Sequence, residues 1–333
     1  MSPRPIRALV VAAVAAALTT TGCTTHSNSA DDDGKTWSYQ SGNGETVTVD
    51  HTPTRIIAQT DTAAALLDFG IRPVGIFGNE DPADNKNLDG VDLTGIEVLG
   101  TEWGVMDVQA TAALNPDLIV TDWWPAENSY GGFEESVAEE TKQVLELAPA
   151  IGGAQGASLV ELLKYYEGLA QSLGADLSDP TIADQKTSFD SAVTDFQAAT
   201  AANEGLTAMA VSPATDLLYV AVPAQAAELV DFRDWGLDLV DPDSPDPGFP
   251  YWENLSWENA DKYQPDLILI DDRTYPSNLD DAQDQPTWDS IRAVEAGAVV
   301  EWPCFWIHSY SSYTTQLVKL TEAIEQADPT IGD

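Results

Sequence analysis

The chain has 333 residues, 43% of them hydrophobic, enough for about two domains of ordinary size with cores of their own. Lys and Arg number 14 against 55 Asp and Glu, a net charge of −41, which repels a phosphate backbone and excludes nucleic acid as a partner. Such acidity keeps a protein soluble, so most of these carboxylates are expected to serve solvation and few to serve as ligands.

At the N-terminus, Arg4 and Arg7 precede an apolar run over residues 8–18 and then Thr19-Thr20-Thr21-Gly22-Cys23. The run is too short to span a membrane and reads as an export signal over residues 1–22. A small residue followed by Cys resembles the site at which bacterial lipoproteins are cleaved and lipidated, although Thr20 stands where Leu is usual. The resemblance implies an extracytoplasmic protein anchored to the cell membrane through lipid on Cys23 and touching the membrane in no other way. Cys304 is then left single, so no disulfide framework is available, and it is expected to be a small buried residue. Residues 23–50 form a tether and lead-in, with too little apolar content over 24–36 to fold.

Residues 51–178 read as an α/β lobe. A short apolar strand at 55–58 precedes a helix at 62–69 that Gly70 ends, and a second strand follows at 74–77. Residues 107–114 have a helical pattern, and Leu118-Ile119-Val120 is a buried strand introduced by Asn115-Pro116-Asp117. Helices are expected near 134–147 and at 158–173, the second with a capping box of Ser158 and Glu161 and a stop at Gly174. Alternating strands and helices point to a largely parallel sheet.

Residues 179–203 form the connecting helix. Asp179 can cap it, Pro180 suits its first position, and Ile182, Phe189, Val193 and Phe196 recur on one face. Residues 204–333 then restart the pattern, with strands at 207–211 and 217–222 and a helix at 224–235 ended by Gly236. Tyr263-Gln264-Pro265-Asp266-Leu267-Ile268-Leu269 echoes Leu114-Asn115-Pro116-Asp117-Leu118-Ile119-Val120, and Trp235-Gly236-Leu237 echoes Phe69-Gly70-Ile71. The fold class is therefore α/β: two lobes with mainly parallel sheets and flanking helices, joined by one long helix.

In such sheets ligands sit beyond the carboxyl ends of the strands. The loops expected there carry Trp103, Trp123, Trp124 and Tyr130 in the first lobe and Tyr251, Trp252, Arg273, Tyr275, Trp306, His308 and Tyr310 in the second. Ten Trp is a high count, and Trp235 and Trp288 are assigned to the core, where a Trp can bury about 150–250 Å². Any loop Trp could instead pack lobe against lobe. No phosphate loop, Ser elbow or Cys–His arrangement appears, so no catalytic residue is assigned. His26, His51 and His308 are spaced too widely for a His-rich metal site.

On Pro116-Asp117-Leu118-Ile119, on Arg72-Pro73-Val74-Gly75 after Gly70, and on the lipoprotein signal, the chain resembles the substrate-binding lipoproteins of ABC importers for ferric siderophores and vitamin B12 over residues 51–327. The resemblance implies two lobes on a stiff helical hinge, a monomer without a cofactor, iron carried inside the cargo, and delivery to an ABC permease with its ATPase. Such proteins present one Glu per lobe to the permease from the helix before the Pro-Asp strand. Glu258 matches in the second lobe; in the first, Gln109 stands at the place and Asp107 lies two residues earlier. Some hydroxamate binders of the family use an Arg in the loop that here reads Gly100-Thr101-Glu102-Trp103, close to Glu102. Trp123 or Trp124 and the pair Phe305-Trp306 match the family's cleft aromatics.

Charge selects among cargoes. A ferric tris-catecholate is a trianion that calls for clustered Arg or Lys, and only Arg273 is in place, with Lys86 and Arg233 further off. A neutral or cationic ferric hydroxamate suits Trp and Tyr with surplus carboxylates, each cation–π contact adding about 0.5–2 kcal/mol. The expected cargo is a hydroxamate-type ferric siderophore, with vitamin B12 as nearest rival and haem, ligated by His308 or a Tyr, as third. An extracytoplasmic enzyme or adhesin on the same frame is the alternative from another class.

Overall fold

The computed structural model describes residues 36–156, 158–273, 277–305 and 307–332. The export signal, Cys23 and the tether up to residue 35 lie outside the described residues, as do Tyr275 and Trp306. The lead-in carries a hairpin that the sequence did not announce: β1 (Trp37–Gln40) pairs antiparallel with β2 (Thr46–Val49). Trp37 is buried with its indole N–H donating to Ser172 Oγ (3.1 Å), and the Tyr39 hydroxyl donates to the Tyr165 carbonyl (3.0 Å).

The first lobe continues through β3 (Ile56–Gln59), α1 (Thr60–Asp68), β4 (Gly75–Phe77), β5 (Glu97–Gly100), α2 (Val108–Leu114), β6 (Leu118–Val120), the ribbon strands β7 (Trp123–Trp124) and β8 (Ser129–Tyr130), α3 (Glu139–Lys142), β9 (Ala150–Ile151) and α4 (Leu159–Ser172). Its main sheet is parallel throughout, in the order β5-β4-β3-β6-β9. The chain winds outward from β3 to β5, then returns to place β6 on the other side of β3. That reversal opens a crevice at the carboxyl ends of β3 and β6.

Helix α5 (Pro180–Ala202), capped by Asp179 through the Thr181 N–H (2.8 Å), spans about 35 Å at 1.5 Å per residue. The second lobe follows as β10 (Thr207–Pro213), β11 (Leu217–Ala221), α6 (Ala227–Asp234), β12 (Asp238–Leu239), β13 (Trp252–Ser256), β14 (Leu267–Asp271), α7 (Ser277–Gln283), α8 (Arg292–Glu295), β15 (Val299–Trp302) and α9 (Tyr310–Gln326). Here β10, β14, β15 and β12 run parallel, whereas β11 folds back antiparallel on β10 and β13 antiparallel on β11. The buried face of α5 meets this lobe: Phe189 packs on Tyr310 and Tyr313 (5.3 Å between centroids in each case), and Phe196 on Phe232 (5.4 Å). Towards the first lobe, Lys186 pairs with Glu167 of α4 at 2.6 Å.

Strand periodicity divides the apolar residues into one shared and two outer cores. Ile56, Ala58, Leu118, Val120, Leu267 and Leu269 point into one cluster continuous through both lobes, α4, α5 and α9. Their neighbours Ile57 and Ile119 face an outer cluster of the first lobe, and Ile268 and Ile270 one of the second. The core thus runs without a break from one lobe through the connecting helix to the other.

The sequence echoes have matching structural causes. Asp117 accepts from the Thr54 and Arg55 N–H groups (both 2.9 Å), and Asp266 from the Thr207 N–H and hydroxyl (both 2.8 Å). Each Pro-Asp thus ties the entry of its own strand to that of the central strand beside it. Likewise Gly70 and Gly236, at φ +79° and +101°, close α1 and α6 with the same pair of bonds, from Ile71 to Leu66 and from Leu237 to Phe232 in the wider ring.

Three expected helices differ. Over 134–147 only α3 and a short 3-10 turn (Gln143–Glu146) form, because the Glu134 carboxylate turns back onto the Gly132 N–H (3.0 Å) and the chain bends at Glu134 to Val137. The helix at 224–235 starts at Ala227, after a 3-10 turn from Pro223. Before the second Pro-Asp there is one 3-10 turn (Trp257–Asn259), because Trp257 drops into the outer core and donates to the Ala214 carbonyl (3.0 Å).

Candidate functional site

A cavity of about 540 Å³ lies between the lobes. Gln59 and Asp61 reach it from the end of β3, Glu80, Asp84 and Lys86 from the loop after β4, Trp103 from beyond β5, and Asp122, Trp124, Glu127 and Glu134 from beyond β6. The second lobe contributes Phe249 and Tyr251 before β13, Trp252 at its start, Arg273 after β14, and Cys304 and Phe305 after β15. The walls are aromatic: Trp124 meets Tyr251 edge-on at 5.7 Å and Phe305 at 5.6 Å, both across the cleft.

Charge in the cavity is lopsided. Asp61, Glu80, Asp84, Asp122, Glu127 and Glu134 face it against two cations, Lys86 and Arg273, and both cations are engaged. Lys86 crosses the cleft to Asp272, donating to its carbonyl (2.6 Å) with Oδ2 at 3.1 Å. Arg273 lies on the Asp271 carboxylate (2.7 Å) and over the Phe305 ring (5.9 Å). Asn85 spans Glu80 (2.8 Å) and Asp61 (3.1 Å) with one amide group, and burial pushes the Glu80 carboxyl above its usual range.

The floor is a buried polar cluster. Asp122 accepts from Gln155 (2.7 Å), from the Tyr166 hydroxyl and from His308 Nε2 of the other lobe (2.8 Å). Burial works to raise this carboxyl, but the His308 charge and the three hydrogen bonds outweigh it and hold it below the usual carboxylate range. Gly152 makes room here: a Cβ on it would stand 1.4 Å from the Thr121 carbonyl. Behind the opposite wall, Phe305 sits at φ +63°, in the left-handed region that costs a bulky residue about 1–3 kcal/mol. The Glu228 carboxylate accepts its N–H (3.0 Å), and burial pushes that carboxyl up to about 7. Beside it, burial raises the Cys304 thiol well above its ordinary value, so it serves as neutral wall.

Of the residues singled out in the sequence, Trp103, Trp124, Tyr251, Trp252 and Arg273 line the cavity. Trp123 and Tyr130 do not: they meet edge-to-face across the β7–β8 ribbon (5.1 Å between centroids), and the Tyr130 hydroxyl bonds Ser41 of the hairpin loop (2.8 Å). His308 is 1% exposed and joins the floor, which removes it as an accessible iron ligand. Tyr310 begins α9, donates to Glu167 (2.9 Å) and packs on Phe189, so it belongs to the hinge. Lys86 reaches the cleft, whereas Arg233 bonds Asp241 (2.8 Å) away from it. Tyr275 and Trp306 lie outside the described residues. Asp107 and Glu258 are both exposed; Asp107 caps α2 through Gln109 and Ala110 (3.0 and 2.8 Å), and Glu258 rides on the 3-10 turn. Sequence reasoning missed Phe249, Glu80, Glu127 and Glu134 among the walls, and Glu228 behind them. In a chain this acidic only the tertiary fold distinguishes those carboxylates.

A family model described as periplasmic binding protein matches residues 164–304. No curated protein matches the chain by sequence. Among solved structures the chain is similar to DesE, a ferric-siderophore receptor protein from Streptomyces coelicolor, with 33% identity, a TM-score of 0.79, and coverage of 88% of this chain and 99% of that one. The siderophore periplasmic binding protein from the fuscachelin gene cluster of Thermobifida fusca shares the fold at 19% identity, with a TM-score of 0.58 over 82% of this chain and 96% of that one. So does FeuA, the triscatecholate siderophore-binding protein of Bacillus subtilis, at 15% identity, with a TM-score of 0.63 over 87% and 98%. With two α/β lobes, one long connecting helix and 33% identity over 88% of its length to a receptor of that kind, the chain belongs to the siderophore-binding family of periplasmic binding proteins, class III.

Proposed function

We propose that this protein captures a ferric siderophore of the hydroxamate type in the cleft between its lobes, outside the cytoplasm, and delivers it to an ABC permease. It acts as a binding protein and not as an enzyme, with no cofactor beyond the iron inside its cargo. The observation that carries the cargo class is the charge of the cleft: six carboxylates against two cations, each already held by Asp271 or Asp272. A trianionic tris-catecholate would be repelled by those walls, whereas a neutral or cationic complex can stack on Trp124, Tyr251 and Phe305. Permease docking through Glu258 and Asp107, lipidation at Cys23 and a monomeric state complete the reading. No helix among the described residues is long and apolar enough to cross a membrane.

The test is a tryptophan-fluorescence titration with a ferric tris-hydroxamate, a ferric tris-catecholate, cobalamin and haemin. Saturable quenching by the hydroxamate, at least tenfold tighter than by the others, is the expected result. Tighter binding of the catecholate would overturn the charge argument. Preference for cobalamin or haemin would move the cargo elsewhere, and no response to any of them would leave an enzyme or an adhesin.

A further inference from the structure

One end of the cavity is chemically distinct. Trp103 and Trp124 converge on Gly131, whose absent Cβ would lie 3.3 Å from the first ring and 3.1 Å from the second. Tyr251 closes the third side, edge-on to Trp124 at 5.7 Å and to Phe249 at 5.1 Å. Glu127 and Glu134 stand among these rings on the cavity wall.

Glu134 is not an ordinary surface carboxylate. It is 7% exposed, its Oε1 accepts from the Gly132 N–H (3.0 Å), and its buried Oε2 makes no well-aligned hydrogen bond among the described residues, although the Trp103 indole N–H stands close enough to lower the carboxyl. The Tyr251 hydroxyl is in the same condition, buried on the cavity wall without a partner, in a residue 4% exposed. A buried polar group left unsatisfied is costly, so these two oxygens mark a place where a ligand supplies a donor, while the Trp124 indole N–H, buried on the same wall without a partner, is left for an acceptor on the cargo. Burial raises the Glu134 and Glu127 carboxyls, and Glu134 raises Glu127 further by like-charge repulsion. A positive charge between them would relieve both. Among the described residues no group of three or more His, Cys, Asp or Glu is arranged to hold a metal ion, which points away from a bare metal and towards an organic cation.

We propose that this box of Trp103, Trp124, Tyr251, Glu127 and Glu134 takes a protonated amine carried by the ferric siderophore, so that the cargo is a cationic hydroxamate complex. The inference rests on the cargo reading above and sharpens it. The ammonium donates to Glu134 Oε2 and the Tyr251 oxygen while the indole faces of Trp103 and Trp124 offer cation–π contact. Nothing in the remainder of the cleft asks for this. The aromatic and Arg273 side accommodates the iron complex with or without an amine.

The experiment compares two probes on the purified protein, a ferric linear tris-hydroxamate ending in a primary amine and the same complex with that amine acetylated. The amine form is expected to bind about tenfold more tightly, and in Glu134→Gln the ratio of the two affinities should collapse towards one. Gln keeps an oxygen for the Gly132 N–H, so the variant retains the local turn. Tyr251→Phe, which removes only the hydroxyl, should narrow the ratio by about threefold and stands in if Glu134→Gln does not fold. Equal affinity of both probes in the parent protein would overturn the amine site and leave the hydroxamate reading standing. Failure of both probes, alongside binding of the catecholate or cobalamin, would overturn the cargo reading and this inference with it.

Discussion

Glu228 offers the clearest link between the cleft and the stability of the whole protein. Its carboxyl is buried behind Phe305 and titrates at about 7, against an ordinary value of 4.5, chiefly because burial disfavours its charge. Between those two pH values the native state holds a proton that the unfolded chain has released. Stability from this group is therefore complete below about pH 4.5 and is lost as pH rises through about 7. At about 1.4 kcal/mol for each tenfold difference in proton affinity, the loss amounts to about 3 kcal/mol. Glu228→Gln cannot ionise, and its amide oxygen can still accept from the Phe305 N–H, so the variant should not show that loss. The measurement is urea unfolding of both proteins at pH 5, 6, 7 and 8. Relative to the parent, Glu228→Gln should gain about 2–3 kcal/mol between pH 5 and pH 8. Asp231, whose carboxyl burial raises to about 6, titrates in both proteins, and because its charge also raises Glu228 the difference reports Glu228 together with that coupling. A difference that stays flat across the four pH values would refute the buried, uncharged Glu228 on which the argument depends.

The geometry makes three further predictions. Trp124→Ala should weaken cargo binding at least tenfold by fluorescence or calorimetry, while Trp123→Ala, one residue away on the ribbon, should change it less than threefold. Asp122→Asn should cost about 3–5 kcal/mol in denaturant unfolding, because it removes the buried charge that faces His308 and accepts from Tyr166, and a loss under 1 kcal/mol would show that the cluster is not a buried ion pair. Asp266→Ala should destabilise more than Asp117→Ala, by about 1 kcal/mol or more. Asp266 is buried and accepts from Thr207 and Gly332, whereas Asp117 serves a more open strand entry.

What the sequence could disclose follows from how local each cause is. The Pro-Asp echo was legible because each Asp acts on the strand beside its own, in the same way in both lobes. Helices α1, α4 and α5 were legible because Gly70, Ser158 and Asp179 mark their ends within a residue of the apolar pattern. The expected helix at 134–147 failed for a tertiary reason: Glu134 turns its carboxylate to the Gly132 N–H and to the cavity, and a helical start there would carry it away from both. His308 misled because a His in a loop near aromatics looks like a ligand, and nothing adjacent in the chain reveals the buried Asp122 that claims it. The hairpin of β1 and β2 was hidden by the polar tether before it, although Trp37 and Tyr39 alternate as one apolar face needs.

The two lobes share a plan, and their differences place the chemistry. Asp122 and Asp271 both close a Pro-Asp strand, and both are buried. In the first lobe the residues that follow are Trp123 and Trp124, and the Asp is spent on the floor with His308 of the other lobe. In the second they are Asp272 and Arg273: Asp271 fixes Arg273, while Asp272 takes Lys86 from across the cleft. One lobe thus supplies aromatic faces and free acidity, the other a cation already neutralised by its neighbour. Polar ties on the floor, at Lys86 and between Tyr310 and Glu167 join the lobes over a continuous core. On the proposed reading, a wall in which carboxylates outnumber cations and every cation is engaged should select for cargo charge before it selects for shape.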